Sequence, residues 1–251
     1  MSQAVDQGSA WEDPRLPWRG RPGKRDLACW GAITLLGLYG FATLPLRPLI
    51  LRMNLYALAA FSGSDIAMVG IGARLRLGHQ PWWWLGLLAA AATSIKFDWI
   101  WWWAGRLWGR GIVGVVSGRS AWAARTAAVA ERLSARFGAP AVFLVWFLPF
   151  LPSAIVYILV GEARMSLRRF LAIDALGALI YRGIWMYVGY QVGEPAERLV
   201  DAIAHYATWI SIGLVVLVVA GALRRNRRVS SRRAADTPIA EAAAPADQPS
   251  D

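Results

Sequence analysis

Residues 61–75 read "FSGSDIAMVGIGARL" and residues 151–165 read "LPSAIVYILVGEARM". Each begins at a helix-breaking cluster, runs through apolar residues and ends in "GARL" or "EARM". A second pair follows them, "KFDWIWWWAGRLWG" at 96–109 and "IYRGIWMYVGYQVG" at 180–193. Both carry "IW" and both close on Gly-x-x-x-Gly. The alignment sets Asp98 opposite Arg182. A Gly/Pro-interrupted hydrophobic segment at the same place in each half is a pointer to a substrate path between inverted repeats. Non-helical backbone inside a membrane leaves amides that only protein or water can satisfy. The plainer alternative is two kinked helices with no ligand.

The composition agrees with a membrane. The chain is 57% hydrophobic and only 17% charged, against about one-quarter charged in soluble domains, and its mean hydropathy is +0.38. Long apolar runs occupy 29–46, 83–95, 139–161 and 207–223, and a spanning helix needs about 20 such residues. A net charge of +11 in a soluble protein would suggest nucleic acid. Here the cations flank the apolar runs, so no nucleic-acid partner is expected. Arg15, Arg19, Arg21, Lys24 and Arg25 precede the first run; Arg224, Arg225, Arg227, Arg228, Arg232 and Arg233 follow the last. The positive-inside rule puts both termini in the cytoplasm and makes the number of crossings even. The expected organisation is a disordered basic tail over 1–25, a membrane domain over 26–223, and a basic, then Ala/Pro/Asp-rich tail over 224–251. Cys29 stands alone, which leaves no disulfide framework and no cysteine metal cluster, and the first run lacks a signal-peptide cleavage site.

Charge orients the segments. Residues 27–46 cross outwards, 48–73 form a broken segment that need not cross, and 83–104 return as one helix. The arginine-rich stretch 105–138 is cytoplasmic. Within it, 119–136 reads as an amphipathic helix on Trp122, Val129, Leu133 and Phe137, lying on the interface or packed on the domain. Residues 139–161 are broken by Pro149 and Pro152, 170–192 cross outwards, "GEPAERLVDAIAH" is an external loop and 207–223 cross back. The fold class is therefore all-α integral membrane, with about four full spans and two opposed re-entrant segments in an inverted repeat. Arg74 and Arg76 fall outside in this topology, against the rule. Trp82–Trp84 and Trp101–Trp103 lie about 28 Å apart along an ideal helix, close to the hydrocarbon thickness, and read as aromatic belts.

Intramembrane charges are functional candidates because each costs about 2.5–3.5 kcal/mol at the helix centre on insertion scales. Asp98 lies just inside the inner belt. Lys96 can snorkel to the headgroups, but Asp98 is short and needs a partner; two residues apart, the two do not face each other. Pseudo-symmetry nominates Arg182, as a structural ion pair or as part of a path. Asp65 lies at the first break and suits a helix cap, which Ser64 could equally provide; a proton- or headgroup-related role is compatible. Pro149, Pro152 and Ser153 form the second break, where freed amides could receive a phosphate. Glu162 and Arg164 lie at that segment's exit, in headgroups. Asp174 has a helix N-terminus or Arg168 and Arg169 to stabilise it.

The second half, "RFGAPAVFLVWFLPFLPSAIVYILVGEARMSLRRFLAIDALGALIYRGIWMYVGYQVG" at 136–193, resembles the DedA family of bacterial membrane proteins, the SNARE-associated or VTT domain. Phe137-Gly138, Phe147, Pro149, Gly161, Met165, Phe170, Gly177 and Gly189-Tyr190 match its pattern. In the first half Ser64-Asp65 falls where the family has Pro-Gly-Glu, and Asp98, Gly105, Arg106 and Gly109 match Gly-Asp-x-x-x-Tyr-x-x-Gly-Arg-x-x-Gly. The resemblance covers about 45–193. Trp146 and Pro152 stand where the family has two loop arginines, and "PFLP" resembles the Pro-x-x-Pro of a more distant branch. The resemblance implies a multi-pass protein of a bacterial-type plasma membrane that moves lipid carriers such as undecaprenyl phosphate, or phospholipids, between leaflets. It ties the family's arginines and first-half acids to proton dependence. Without those arginines, Arg182 or Arg164 could supply a replacement positive charge.

Enzyme readings find little support. His79 and His205 are far apart, no His-Glu-x-x-His occurs, and "GVVSG" is not a nucleophile elbow. The expectation is a lipid transporter or scramblase with anionic headgroups as partners, no metal and no cofactor, and compatible with homo-oligomers. The rival is a non-transporting scaffold that supports envelope assembly.

Overall fold

Helical segments of 6 to 26 residues, punctuated by Gly, Pro and Asn, give a helical protein. A computed structural model describes residues 18, 21–79, 82–109, 111–113, 121–209, 211–217 and 220–221, without the side chains of 121–124 and 135. The helices run α1 Lys24–Thr43, α2 Leu46–Met53, α3 Leu55–Ser62, α4 Asp65–Arg76, α5 Trp83–Ile95, α6 Asp98–Trp108, α7 Ala121–Phe137, α8 Ala139–Leu144, α9 Ser153–Glu162, α10 Leu167–Val192 and α11 Glu194–His205. A further helix, α12, covers Ala207–Leu217. Helices α1 and α10 are long and apolar enough to cross a membrane, at about 30 and 39 Å by helical rise. The pair α11–α12, bent by 51°, makes a third candidate span. Helix α10 exposes Leu176, Ile180, Ile184 and Tyr187, and α1 buries only Cys29 and Thr43. Such faces suit acyl chains rather than water.

Both segments expected to be broken are broken. In the first, Asn54 ends α2 and caps α3, its Oδ1 accepting from the amides of Tyr56 at 2.7 Å and Ala57 at 3.3 Å. Gly63 then takes a left-handed φ of +59° before α4 starts. In the second, α8 tightens into a 3₁₀ turn over Val145–Phe147, and α9 restarts only after Pro152. Pro149 and Pro152 cannot donate to a helix ladder, which explains the gap.

The packing exchanges partners between halves. Helix α4 lies on α10, and α9 lies on α6. Glycines set both seams. A Cβ on Gly72 would stand 1.9 Å from the Met186 carbonyl oxygen, and one on Gly189 2.0 Å from that of Val69. Across the other seam the values are 1.9 Å for Gly105 against Ile158 and 2.1 Å for Gly161 against Trp102. Backbone meets backbone, as close helix packing in lipid requires. Around these seams lie two apolar clusters, one with Val142, Ile155, Ile158 and Phe170, the other with Leu55, Met68, Ile71 and Val200.

Several expectations are corrected. Residues 83–104 are not one helix: α5 ends at Ile95 and α6 opens at Asp98. The break occurs where Lys96 turns inwards, its Nζ donating to Tyr39 Oη at 3.0 Å and to the Phe61 carbonyl at 3.2 Å. Lys96 is thus anchored rather than snorkelling, and the two tryptophan triplets do not share one continuous helix. "GEPAERLVDAIAH" is not a loop but α11, started by Gly193 and by Pro195 in its first turn. Its Glu197 and Asp201 each lie 3.1 Å from Arg74. Arg76 Nη1 donates to the carbonyls of Tyr190 at 3.2 Å and Gln191 at 2.7 Å, at the C-terminal end of α10. Both arginines that strained the charge rule therefore have structural partners. On α7 the expected apolar stripe is only partly the packed face: Leu133 packs against the core but Val129 and Phe137 are exposed, whereas Thr126, Ala127 and Ala130 are buried, and α7 packs on α9. Small residues allow that approach. The side chain of Trp122, the tails 1–17 and 222–251 and most of the flanking basic clusters lie outside the described residues.

Candidate functional site

Between the two seams the packing opens into a polar cavity of about 320 Å³. Asp65, Ser94, Asp98, Trp146, Pro149, Ser153, Tyr157, Tyr181 and Arg182 line it. Sequence positions more than a hundred residues apart meet here because each break delivers a helix start to the same place.

The first-half side is held by a tight turn. A Cβ on Gly63 would stand 2.4 Å from Ser94 Oγ, so both the left-handed backbone and the closeness of α5 require glycine there. Ser64 is the N-cap of α4 without a side-chain capping bond, and Asp65 occupies the first helical position. Its carboxylate does not serve as a cap but accepts from Arg182 Nη1. Arg182 Nε also donates to Ser94 Oγ at 3.1 Å, and that hydroxyl donates on to the Ala90 carbonyl at 2.7 Å. The guanidinium carbon lies 5.9 Å from the Trp146 ring and 5.4 Å from the Tyr181 ring. The arginine side chain is 11% exposed and the aspartate 42%, so the cation is sheltered while its partner faces the cavity.

The Asp98–Arg182 pair is therefore corrected. Asp65 opens α4, which packs on α10 and so reaches Arg182. Asp98 opens α6, and its carboxyl meets Asp174, about two turns before Arg182 on α10, instead. Asp174 is fully buried. Its Oδ1 accepts from Trp146 Nε1 at 2.9 Å and Tyr157 Oη at 2.8 Å. Its Oδ2 is buried without a protein N–H or O–H donor. Neither the start of α10 nor the exposed Arg168 and Arg169 stabilises it. Trp146, which stands at the place of a family arginine, thus acts as a neutral donor to a carboxyl. Gly177 makes room for it: a Cβ there would lie 2.5 Å from Trp146 Cδ1.

The second break supplies backbone. Pro152 is the N-cap of α9, again without a side-chain bond, and Ser153 is its first residue. The first amides of a helix have no intrahelical acceptor, and here they sit at the cavity rim beside Pro149. Pro152 itself is not among the lining residues. Glu162 and Arg164 are exposed at the other end of α9, so Arg182 and not Arg164 is the cation of this site. Arg164 has a different task. With φ +59°, it closes α9 through bonds from its own amide to Gly161 at 3.0 Å and from Met165 to Val160 at 3.3 Å. Gly78 closes α4 through the same pattern, with 3.1 Å to Leu75 and 2.9 Å from His79 to Arg74.

Sequence reasoning missed Ser94, Tyr157 and Tyr181. A lone tyrosine inside "AIVYILVG" and a Thr-Ser step inside an alanine run were the available signals. Each is a hydrogen-bonding side chain in an otherwise apolar stretch.

No curated protein and no solved structure matches the chain. The sequence model of the VTT domain matches residues 64–191. That span begins at the cap of α4, ends with α10, and contains both glycine seams and every residue lining the cavity. The chain belongs to the VTT domain family, the DedA or SNARE-associated membrane proteins.

Proposed function

We propose that this protein moves phosphate-bearing lipids, a lipid carrier or a phospholipid, between membrane leaflets through the cavity between its two broken segments. The observation that carries this reading is the convergence of both breaks on one polar space that holds a sheltered arginine, an acid and the free amides of a helix start. A phosphate headgroup can take hydrogen bonds from Arg182 and from the first amides of α9, as anions do at helix N-termini. Asp65 then exchanges its place on Arg182 with the headgroup. The exchange of packing partners between α4–α10 and α6–α9 suits an inverted repeat with four full spans and opposed re-entrant segments.

Asp98 and Asp174 supply the coupling element. A buried and a half-buried carboxylate in contact repel each other unless a proton lies between them, and Asp174 Oδ2 has no other donor. Movement of α6 against α10 as a headgroup enters would separate the carboxyls and release it.

The test is flux of a fluorescent phosphate-bearing lipid in liposomes holding the purified full chain. Transfer well above that of protein-free liposomes is expected. Folded protein that transfers no faster than empty liposomes favours the scaffold reading instead.

A further inference from the structure

Behind Arg182 lies a second cavity, of about 240 Å³, on the far side of a wall made by Ser94, Trp146 and Arg182. Arg47, Lys96 and Arg182 line it, and no carboxylate does. Lys96 is held at its edge by Tyr39 and the Phe61 carbonyl, with its ammonium 5.0 Å from the centres of both the Tyr39 and Phe97 rings. Neither Lys96 nor Arg47 has an acidic partner among the described residues, whereas Arg74, Arg182 and Arg198 all do. The serine and threonine hydroxyls of its lining are committed as donors, Thr43 to Gly40, Ser62 to Leu58, Thr93 to Ala60 and Ser94 to Ala90, while Tyr39 Oη accepts from Lys96 and keeps its own hydrogen. The donors left for a ligand are therefore the three cations and the Tyr39 hydroxyl.

Lys96 is half-buried and Arg47 is exposed at the mouth of the cavity; a half-buried cation without a counter-ion is costly, and a protein retains it where an anion comes and goes. The charge balance narrows that anion. Three cations line the cavity and one of them, Arg182, is already shared with Asp65. Two positive charges remain uncompensated, which matches a dianion better than a singly charged diester.

We infer that the cavity bounded by Arg47, Lys96 and Arg182 is a binding site for a phosphomonoester-type dianion, separate from the acid-bearing cavity and joined to it through Arg182. The inference rests on the transport reading for its place in a path, but not for its chemistry. Arg182 is the shared wall, so an anion seated here draws the guanidinium away from Asp65, and the occupant passes from one cavity to the other by changing sides of one side chain.

The experiment is calorimetric titration of the full chain in phosphatidylcholine nanodiscs. The probes are inorganic phosphate, short-chain phosphatidic acid, and the methyl diester of that acid as the singly charged control. Arg47→Gln, an exposed position whose loss leaves the fold intact, is expected to weaken phosphatidic acid binding tenfold or more. Lys96→Gln should do the same and Lys96→Arg should restore most of it, while the diester binds at least tenfold more weakly than the monoester throughout. Inorganic phosphate binding as tightly as phosphatidic acid supports the site and assigns it to free anion; binding of phosphatidic acid alone supports it as a headgroup site. No binding to the wild type, or binding unchanged in Arg47→Gln, overturns it. Lipid flux is read on the same preparations. Charge-dependent binding without flux keeps the site and removes the transport reading; flux with binding unaffected by Arg47→Gln removes the site and keeps the reading.

Discussion

The seams and the space between them are built from opposite materials. At α4–α10 and α6–α9, glycines bring carbonyl oxygens to within about 2 Å of where a side chain would begin. A few residues away, Asp65, Arg182 and Asp98 line a cavity with polar walls, and Asp174 lies buried behind Asp98. In lipid there is little hydrophobic drive between helices, so close backbone packing and interhelical hydrogen bonds hold them together. The seams supply that rigidity, and they free the centre to keep charges that contribute little to stability. The lesson is a division of labour along single helices. Helix α10 carries Gly189 for a seam and Arg182 for the site, two turns apart.

The largest effect should come from the seams. Gly105→Val places a branched side chain against the Ile158 backbone and should cost about 3 kcal/mol or more through overpacking. Thermal unfolding in detergent checks it, and a near-normal melting temperature would break the contrast. Next comes the buried carboxyl. Tyr157→Phe removes one of two donors from Asp174 and should cost about 1–3 kcal/mol, with flux lowered in the same protein. Asp174→Asn should leave flux in place but remove its response to an imposed proton gradient, which sharpens the distinction between holding and coupling. Ser94→Ala takes one bond from Arg182 and should cost about 1 kcal/mol; flux should fall only a few-fold. The smallest effect has the opposite sign. Arg164→Gly relieves a left-handed backbone and should stabilise the protein by about 1 kcal/mol, with flux unchanged.

Much of this was legible in the sequence. The breaks at 61–65 and 149–153, the helical membrane class and the family followed from apolar runs, Gly/Pro punctuation and motif order. The site residues were nominated by the rule that charge inside lipid needs a reason, and the cavity gathers Asp65, Asp98, Arg182, Pro149 and Ser153. Their pairing was not legible. Repeat symmetry placed Asp98 opposite Arg182, but Asp98 reaches α10 about two turns earlier, at Asp174, while the start of α4 takes Arg182. The break at Lys96 was hidden for a related reason. "TSIKFDW" has neither Gly nor Pro, and only tertiary acceptors on α1 and α3 turn the lysine inwards. Trp146 read as a lost arginine because hydropathy treats an indole as apolar, while its N–H is a donor that a buried carboxyl can use.

In the proposed path Arg182 is the hinge rather than a structural charge. The most direct measurement is lipid flux through Arg182→Gln in proteoliposomes, alongside its melting temperature and helical content. At least a tenfold loss of flux is expected, in a protein that melts within a few degrees of the wild type. Wild-type flux in that variant would contradict it.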